Sequence, residues 1–209
     1  MKEHTIECPA CHASGTHKIS AMADISSDAN LKNRLLDGTF FEWTCPGCSR
    51  RFFVDEVFLC CNSDRGYCIY LVPGYKESEL PIPTIYKSKC TGMLRVTDSF
   101  VAFAEKLRIF EAGLSDRIIE AMKAVYATVC QQTSQKTVYN MLFEEVCPDG
   151  QLGFTVLLEN EDISVEIPAE AYEHAMADFD ELLPQDSCEA FVKVDQEWLA
   201  GALNEDECE

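Results

Sequence analysis

One four-residue pattern occurs twice in this chain and constrains it more than any other feature. Cys8-Pro9-Ala10-Cys11 and Cys45-Pro46-Gly47-Cys48 are both Cys-Pro-x-Cys, with 33 residues between them. Two residues between cysteines let the backbone turn tightly enough for both thiolates to face one ion. Proline sets φ for such a turn, and Gly47 is expected to supply a positive φ if the turn needs one. Two such knuckles provide four thiolates, a complete tetrahedral shell for Zn2+ at Zn–S distances of ~2.3 Å. The expectation is one structural zinc held by Cys8, Cys11, Cys45 and Cys48, with no position left for a catalytic water. Iron on the same four thiolates has the same signature in sequence.

Other cysteine chemistries fit less of the pattern. Trp43-Thr44-Cys45-Pro46-Gly47-Cys48 superficially resembles a thioredoxin-type active site. That chemistry needs a helix N-terminus to depress the thiol pKa, whereas Ser49-Arg50-Arg51-Phe52-Phe53-Val54 reads as strand. Cys8-x-x-Cys11-His12 matches the attachment pattern of c-type haem. That attachment takes place outside the cytoplasm, and Met1-Lys2-Glu3-His4-Thr5-Ile6-Glu7-Cys8 has no apolar stretch of a signal peptide. The chain is therefore expected to be cytoplasmic, where its 12 cysteines stay reduced and clustered ones bind metal rather than each other. His12 or His17 is a substitute ligand, although four cysteines suffice. Cys60, Cys61, Cys68 and Cys90 are either a second site or buried thiols.

The pattern of apolar residues gives an α+β fold class. Strands are expected at residues 5–7, 18–25, 39–44, 50–60 and 67–72, with a helix over 28–36 capped by Ser27 or Asp28 and ended by Gly38. This is a zinc-ribbon-like antiparallel sheet with a helical insertion between its knuckles. Residues 73–83, with three prolines and one glycine, read as loop, and 84–95 are ambiguous. Phe100, Phe103, Ala104, Leu107 and Phe110 share one helical face, and Gly113 leads to a second helix with Ile118, Ala121, Met122, Val125 and Val129 on its inner face. The pair makes a helical hairpin. Beyond it lie strands at 138–146, 152–158 and 163–167, the first two joined by Pro148-Asp149-Gly150. A helix from Pro168 to about residue 183 follows, with Ala171, Tyr172, Ala175, Phe179 and Leu182 inward. A strand over 189–194 and a short helix capped by Asp195 complete the chain.

Charge divides the sequence sharply. The net charge is −19, and residues 137–209 carry 20 acidic side chains against Lys193 alone, while residues 1–136 balance. Two domains follow as an expectation: residues 1–134, a ribbon with the helical hairpin, and residues 135–209, an acidic α+β part. Such a surface repels phosphate backbones, because nucleic-acid affinity rests on Lys and Arg displacing counterions. It favours another protein as partner, one with a basic surface, or serves solubility. No apolar run reaches the ~18 residues of a membrane span. The scattered carboxylates single out no acid–base pair.

Residues 5–130 carry a resemblance. The paired Cys-Pro-x-Cys motifs, the spacer 30–38 and the run Leu107-Arg108-Ile109-Phe110-Glu111-Ala112-Gly113-Leu114-Ser115-Asp116-Arg117-Ile118-Ile119-Glu120 are together similar to the CpXC family of mostly bacterial proteins. The resemblance implies a zinc-binding domain without an established activity. Some members carry an aromatic and a histidine where this chain has Cys60-Cys61, and any role of that pair is not carried over. The expected function is a non-catalytic interaction or scaffold module. A nucleic-acid-associated ribbon, or an enzyme with a second site, are the alternatives.

Overall fold

A computed structural model describes residues 2–76, 92–186 and 188–205. The chain forms two compact units, residues 1–104 with 186–192, and residues 105–185 with 193–209. Compactness and charge therefore divide the chain at different points, the first inside a helix near residue 104 and the second near residue 136.

In the first unit, β1 (Lys2–Glu7) and β2 (Ser14–Ile19) form an antiparallel hairpin, and β4 (Glu42–Thr44) and β5 (Arg51–Phe53) form another. Each hairpin is closed by one knuckle, since Glu7 pairs with Ser14 and Thr44 with Arg51. The strand expected over 18–25 is split, because the chain turns after β2 and starts again as β3 (Met22–Asp24). β3 is the edge of a four-stranded sheet with β6 (Phe58–Asn62), β7 (Tyr67–Leu71) and β8 (Met93–Thr97), in the order β3-β6-β7-β8. This sheet is mixed: β6 and β7 are antiparallel, whereas β3 joins β6 and β8 joins β7 in parallel. Every residue of β6 and β7 is buried, which fits continuous apolar runs rather than alternation. The expected strand over 50–60 is likewise divided into β5 and β6.

α1 (Ala29–Leu36) starts where Asp28 accepts the Leu31 N–H at 2.8 Å. Residues expected as the start of a strand instead form a 3-10 turn, Thr39–Phe41, entered through Gly38 at φ +81°. The turn aims Phe41 inward, where its ring meets Phe53, Phe58, Phe100 and Phe103 at centroid distances of 5.5–6.3 Å. Aromatic packing thus overrides the strand propensity of Thr-Phe-Phe. The expected strand over 189–194 reduces to one bridge, with Val192 bonded to Val96 N and Leu94 O. Beside it the buried Arg95 guanidinium is paired with Asp186. Residues 77–91, which include most of the expected loop, most of the ambiguous stretch and Cys90, lie outside the described residues.

α2 (Phe100–Glu111) begins in the first unit and continues into the second. Gly113, at φ +74°, leads to α3 (Asp116–Ser134), giving the expected hairpin. β9 (Val138–Val146), β10 (Leu152–Leu158) and β11 (Asp162–Ile167) form an antiparallel meander in the order β11-β10-β9. Leu152, Phe154, Val156 and Leu158 are buried along one face of β10, as their alternation requires. α4 (Ala169–Phe179) and α5 (Gln196–Glu205) complete the unit, and α3 packs on β9, α4 and α5. Asp195 caps α5 by accepting the Trp198 N–H at 2.9 Å.

The first two turns of α3 are buried on all sides, charged residues included. Lys106 Nζ lies 3.2 Å from both Asp116 and Glu120, and Lys123 Nζ lies 3.0 Å from both Glu105 and Glu120. Glu105 also accepts the Phe143 N–H of β9 at 2.8 Å, and Gln196 of α5 donates to Glu120 at 2.8 Å. Burial opposes the charge on Glu120, but the two ammonium groups and the Gln196 amide outweigh it and hold its carboxyl below the ordinary range. Val125 and Val129, expected inward, are each 48% exposed, and Leu182 is 52% exposed. Among the described residues, no helix is long and apolar enough to cross a membrane.

Candidate metal centre

The two knuckles are built alike, atom by atom. In the first, Cys8 N–H donates to Ala13 O at 3.0 Å and His12 N–H to Cys8 O at 2.9 Å; in the second, Cys45 N–H donates to Arg50 O and Ser49 N–H to Cys45 O, both at 2.9 Å. The residue after the second cysteine carries the positive φ each time, 61° at His12 and 58° at Ser49. This corrects the expectation for Gly47, which is absent from the positive-φ positions.

The role of Gly47 is steric. A Cβ there would lie 2.7 Å from Ala13 Cβ and 3.3 Å from Cys11 Sγ. Gly15 is needed for the same kind of reason, since a Cβ would meet Trp43 at 2.7 Å and Pro46 at 2.9 Å. The two knuckles approach each other across these glycines.

That approach brings the four expected sulfurs together. Cys8 Sγ is 3.7 Å from Cys48 Sγ, Cys11 Sγ is 3.6 Å from Cys45 Sγ, and all four lie within 4.8 Å of one another. A regular tetrahedron with metal–sulfur bonds of ~2.3 Å has edges of ~3.8 Å. Two of the separations match such an edge and all six fall within 4.8 Å, so the four cysteines could hold one metal ion, and a four-sulfur donor set suits zinc or iron. Among the described residues, this is the one group of three or more His, Cys, Asp or Glu arranged to hold a metal.

Backbone amides support the charge that such a site accumulates. Ala10 N–H points at Cys8 Sγ at 3.4 Å and Gly47 N–H at Cys45 Sγ at 3.3 Å. Burial opposes ionisation of Cys45, yet the N–H groups of Cys48 and Gly47, then the thiols of Cys8 and Cys11, bring it down to about 6. At Cys11 a backbone bond involving Ala13 favours the thiolate, but Cys45, burial, Cys8 and Cys48 push it up to about 12.

Cys8 and Cys45 are buried, Cys48 is half-buried and Cys11 is exposed, so the site has a dry side and a wet side. The dry side rests on Trp43, with Ile6, Ala13, Phe52 and Val54 around it. Sequence reading missed this apolar floor and the glycine pair. The signal for both was present in Gly15 and in Trp43, two residues before Cys45.

The other candidates fall elsewhere. β5, and no helix, follows the second knuckle, so the helix N-terminus of a thioredoxin-type centre is missing there. His12 turns away to Glu7, 2.9 Å from its Nδ1, and His17 sits on β2 opposite His4. Cys60, Cys61 and Cys68 lie fully buried in β6 and β7.

A family model described as CpXC protein matches residues 6–123, more than half of the chain, and spans both knuckles, α1, α2 and the buried part of α3. Comparison with curated proteins and with solved structures gives no match.

Proposed function

The chain belongs to the CpXC family, and on that premise we propose that it is a non-catalytic zinc-ribbon protein whose metal holds a surface for another protein. The observation that carries the reading is the closure of the site. Four cysteine sulfurs lie within 4.8 Å of one another, a set that would fill every position of a Zn2+ ion and leave none for a substrate or an activated water. Zinc supplies folding energy in such a centre, because the ligand set does not exist in the unfolded chain. The role assigned to the metal is to lock the two hairpins together, and catalysis is assigned to no residue.

A cytoplasmic, reducing setting suits four unpaired thiols poised for a metal. A protein with a basic surface suits the acidic C-terminal part, whose 20 carboxylates face one lysine after residue 136.

Elemental analysis of protein purified under reducing conditions without chelator tests the reading. About one zinc per chain is expected, and Cys45→Ser loses it together with any partner recovered by wild type from a reducing lysate. Iron in its place would appear as visible absorbance and would change the metal but keep the closed site. A wild-type metal content and melting curve in Cys45→Ser would refute it. Salt-dependent binding of nucleic acid by the full chain would transfer the function to that class of partner.

A further inference from the structure

We propose that Cys61 and Cys68 form a site of reversible two-electron oxidation, a cross-strand disulfide that staples β6 to β7. The two residues are direct partners in the antiparallel register. Their sulfurs lie 2.8 Å apart, inside the van der Waals separation of two sulfur atoms. Both side chains are fully buried, among Leu59, Tyr70, Leu94 and Val96.

The register itself favours the bond. Ile25 N–H donates to Cys61 O and Leu59 N–H to Ala21 O, so the peptide groups of residues 59 and 61 face β3. Cys61 and Cys68 are therefore a non-hydrogen-bonded pair of β6 and β7, the kind in which Cα atoms are ~4.5 Å apart and side chains closest. That separation falls within the range a disulfide spans. Cys60 is one residue out of phase, opposite Ile69, and its side chain leaves by the other face of the sheet.

The oxidant class is a peroxide, close to water in size. The pair lies one position inside the exposed turn formed by Ser63, Asp64 and Arg65, so fraying of that hairpin end admits it. One sulfur attacks a peroxide oxygen; the S–O bond forms as the O–O bond breaks, giving a sulfenic acid and one water. The second sulfur then attacks the sulfenic sulfur, the S–S bond forms as the S–O bond breaks, and the hydroxyl leaves as a second water. Two thiols lose two electrons and two protons to one hydrogen peroxide, which becomes two waters. This step is independent of the metal reading, because neither residue belongs to the four-sulfur centre.

Trypsin makes the test direct, because Arg65 separates the two cysteines: residues 52–65 hold Cys60 and Cys61, and residues 66–76 hold Cys68. Full-length, metal-loaded protein is treated with hydrogen peroxide, blocked with an alkylating agent in denaturant and digested without reductant. The expected product is the two peptides joined through Cys61 and Cys68, with Cys60 alkylated, and dithiothreitol returns both thiols. The join persists in Cys60→Ser and disappears in Cys61→Ser. Fragmentation of the wild-type linked peptide identifies the bonded sulfurs even if Cys61→Ser fails to fold. Recovery of Cys61 and Cys68 as alkylated thiols once exposed Cys188 is fully oxidised, or a join through Cys60, overturns the proposal.

Discussion

Adding one methyl group at Gly47 tests whether the closeness of the two knuckles, and not just their cysteine content, makes the metal site. An alanine Cβ would sit 2.7 Å from Ala13 Cβ, 3.3 Å from Cys11 Sγ and 3.8 Å from Cys45 Sγ. Carbon atoms rest at ~3.5–4.0 Å, so about 1 Å has to be found. Ala13 Cβ cannot swing aside, because it is bonded directly to the backbone that accepts the Cys8 N–H. Relief must come from separating the knuckles, which stretches the sulfur tetrahedron. Overpacking of this kind costs about 1–3 kcal/mol. Expressed in the metal-bound form, that is roughly a fivefold to hundredfold loss of Zn2+ affinity at about 1.4 kcal/mol per tenfold. Competition with a chromophoric chelator under reducing conditions reads it. Gly201→Ala is the control: nothing lies within 4 Å of its Cβ, it sits inside α5, and it gains up to about 1 kcal/mol of helix propensity. A Gly47→Ala protein that binds Zn2+ within twofold of wild type would refute the steric account.

Three further outcomes follow from the same structure. With the proposed zinc in place, chelation is expected to release buried Trp43, one of two tryptophans, so a Trp198→Phe protein shifts its emission to longer wavelength on chelation; unchanged emission would contradict a metal-held floor. Lys123→Met leaves Glu105 and Glu120 buried without the ammonium 3.0 Å away and costs about 3–5 kcal/mol in urea unfolding, against under 1 if the network is idle. Glu120 has a folded pKa below its unfolded value near 4.5, so its contribution is complete above that pH and is lost as pH falls through the lower folded value. Acid unfolding below pH ~4.5 is therefore shallower in Glu120→Gln than in wild type, and identical slopes would rule this out.

Local chemistry was the legible part of this chain. Each pair of clustered cysteines follows from spacing, since a Cys-Pro-x-Cys turn fixes its two sulfurs within one short segment. The cap at Asp28, the turn at Gly150 and the alternation in β10 are local in the same way. What depended on distant partners was not legible. Thr39–Phe41 became a 3-10 turn because Phe41 is needed among four other rings. The positive φ fell on His12 and Ser49 while the glycine was spent on a steric contact with the opposite knuckle. Periodicity sends apolar residues inward and places Val125 and Val129 in the core, whereas α3 instead buries Asp116, Glu120 and Lys123 against cations and carboxylates of α2. Charge in a sequence reads as surface, and a satisfied internal network leaves no mark in composition.

That network also changes what the outside of the second unit presents. Lys106, Arg117 and Lys123 are buried there, so the cations left to face water among its described residues are Arg108, Lys136 and Lys193. The skin is thus closer to a single-sign polyelectrolyte than the residue count suggests. Going from 0.01 to 0.1 M ionic strength shortens the Debye length from ~30 to ~10 Å. Added salt then relaxes repulsion across the skin while the buried pairs feel little of it, and dissolved ions act on this unit as a stabiliser.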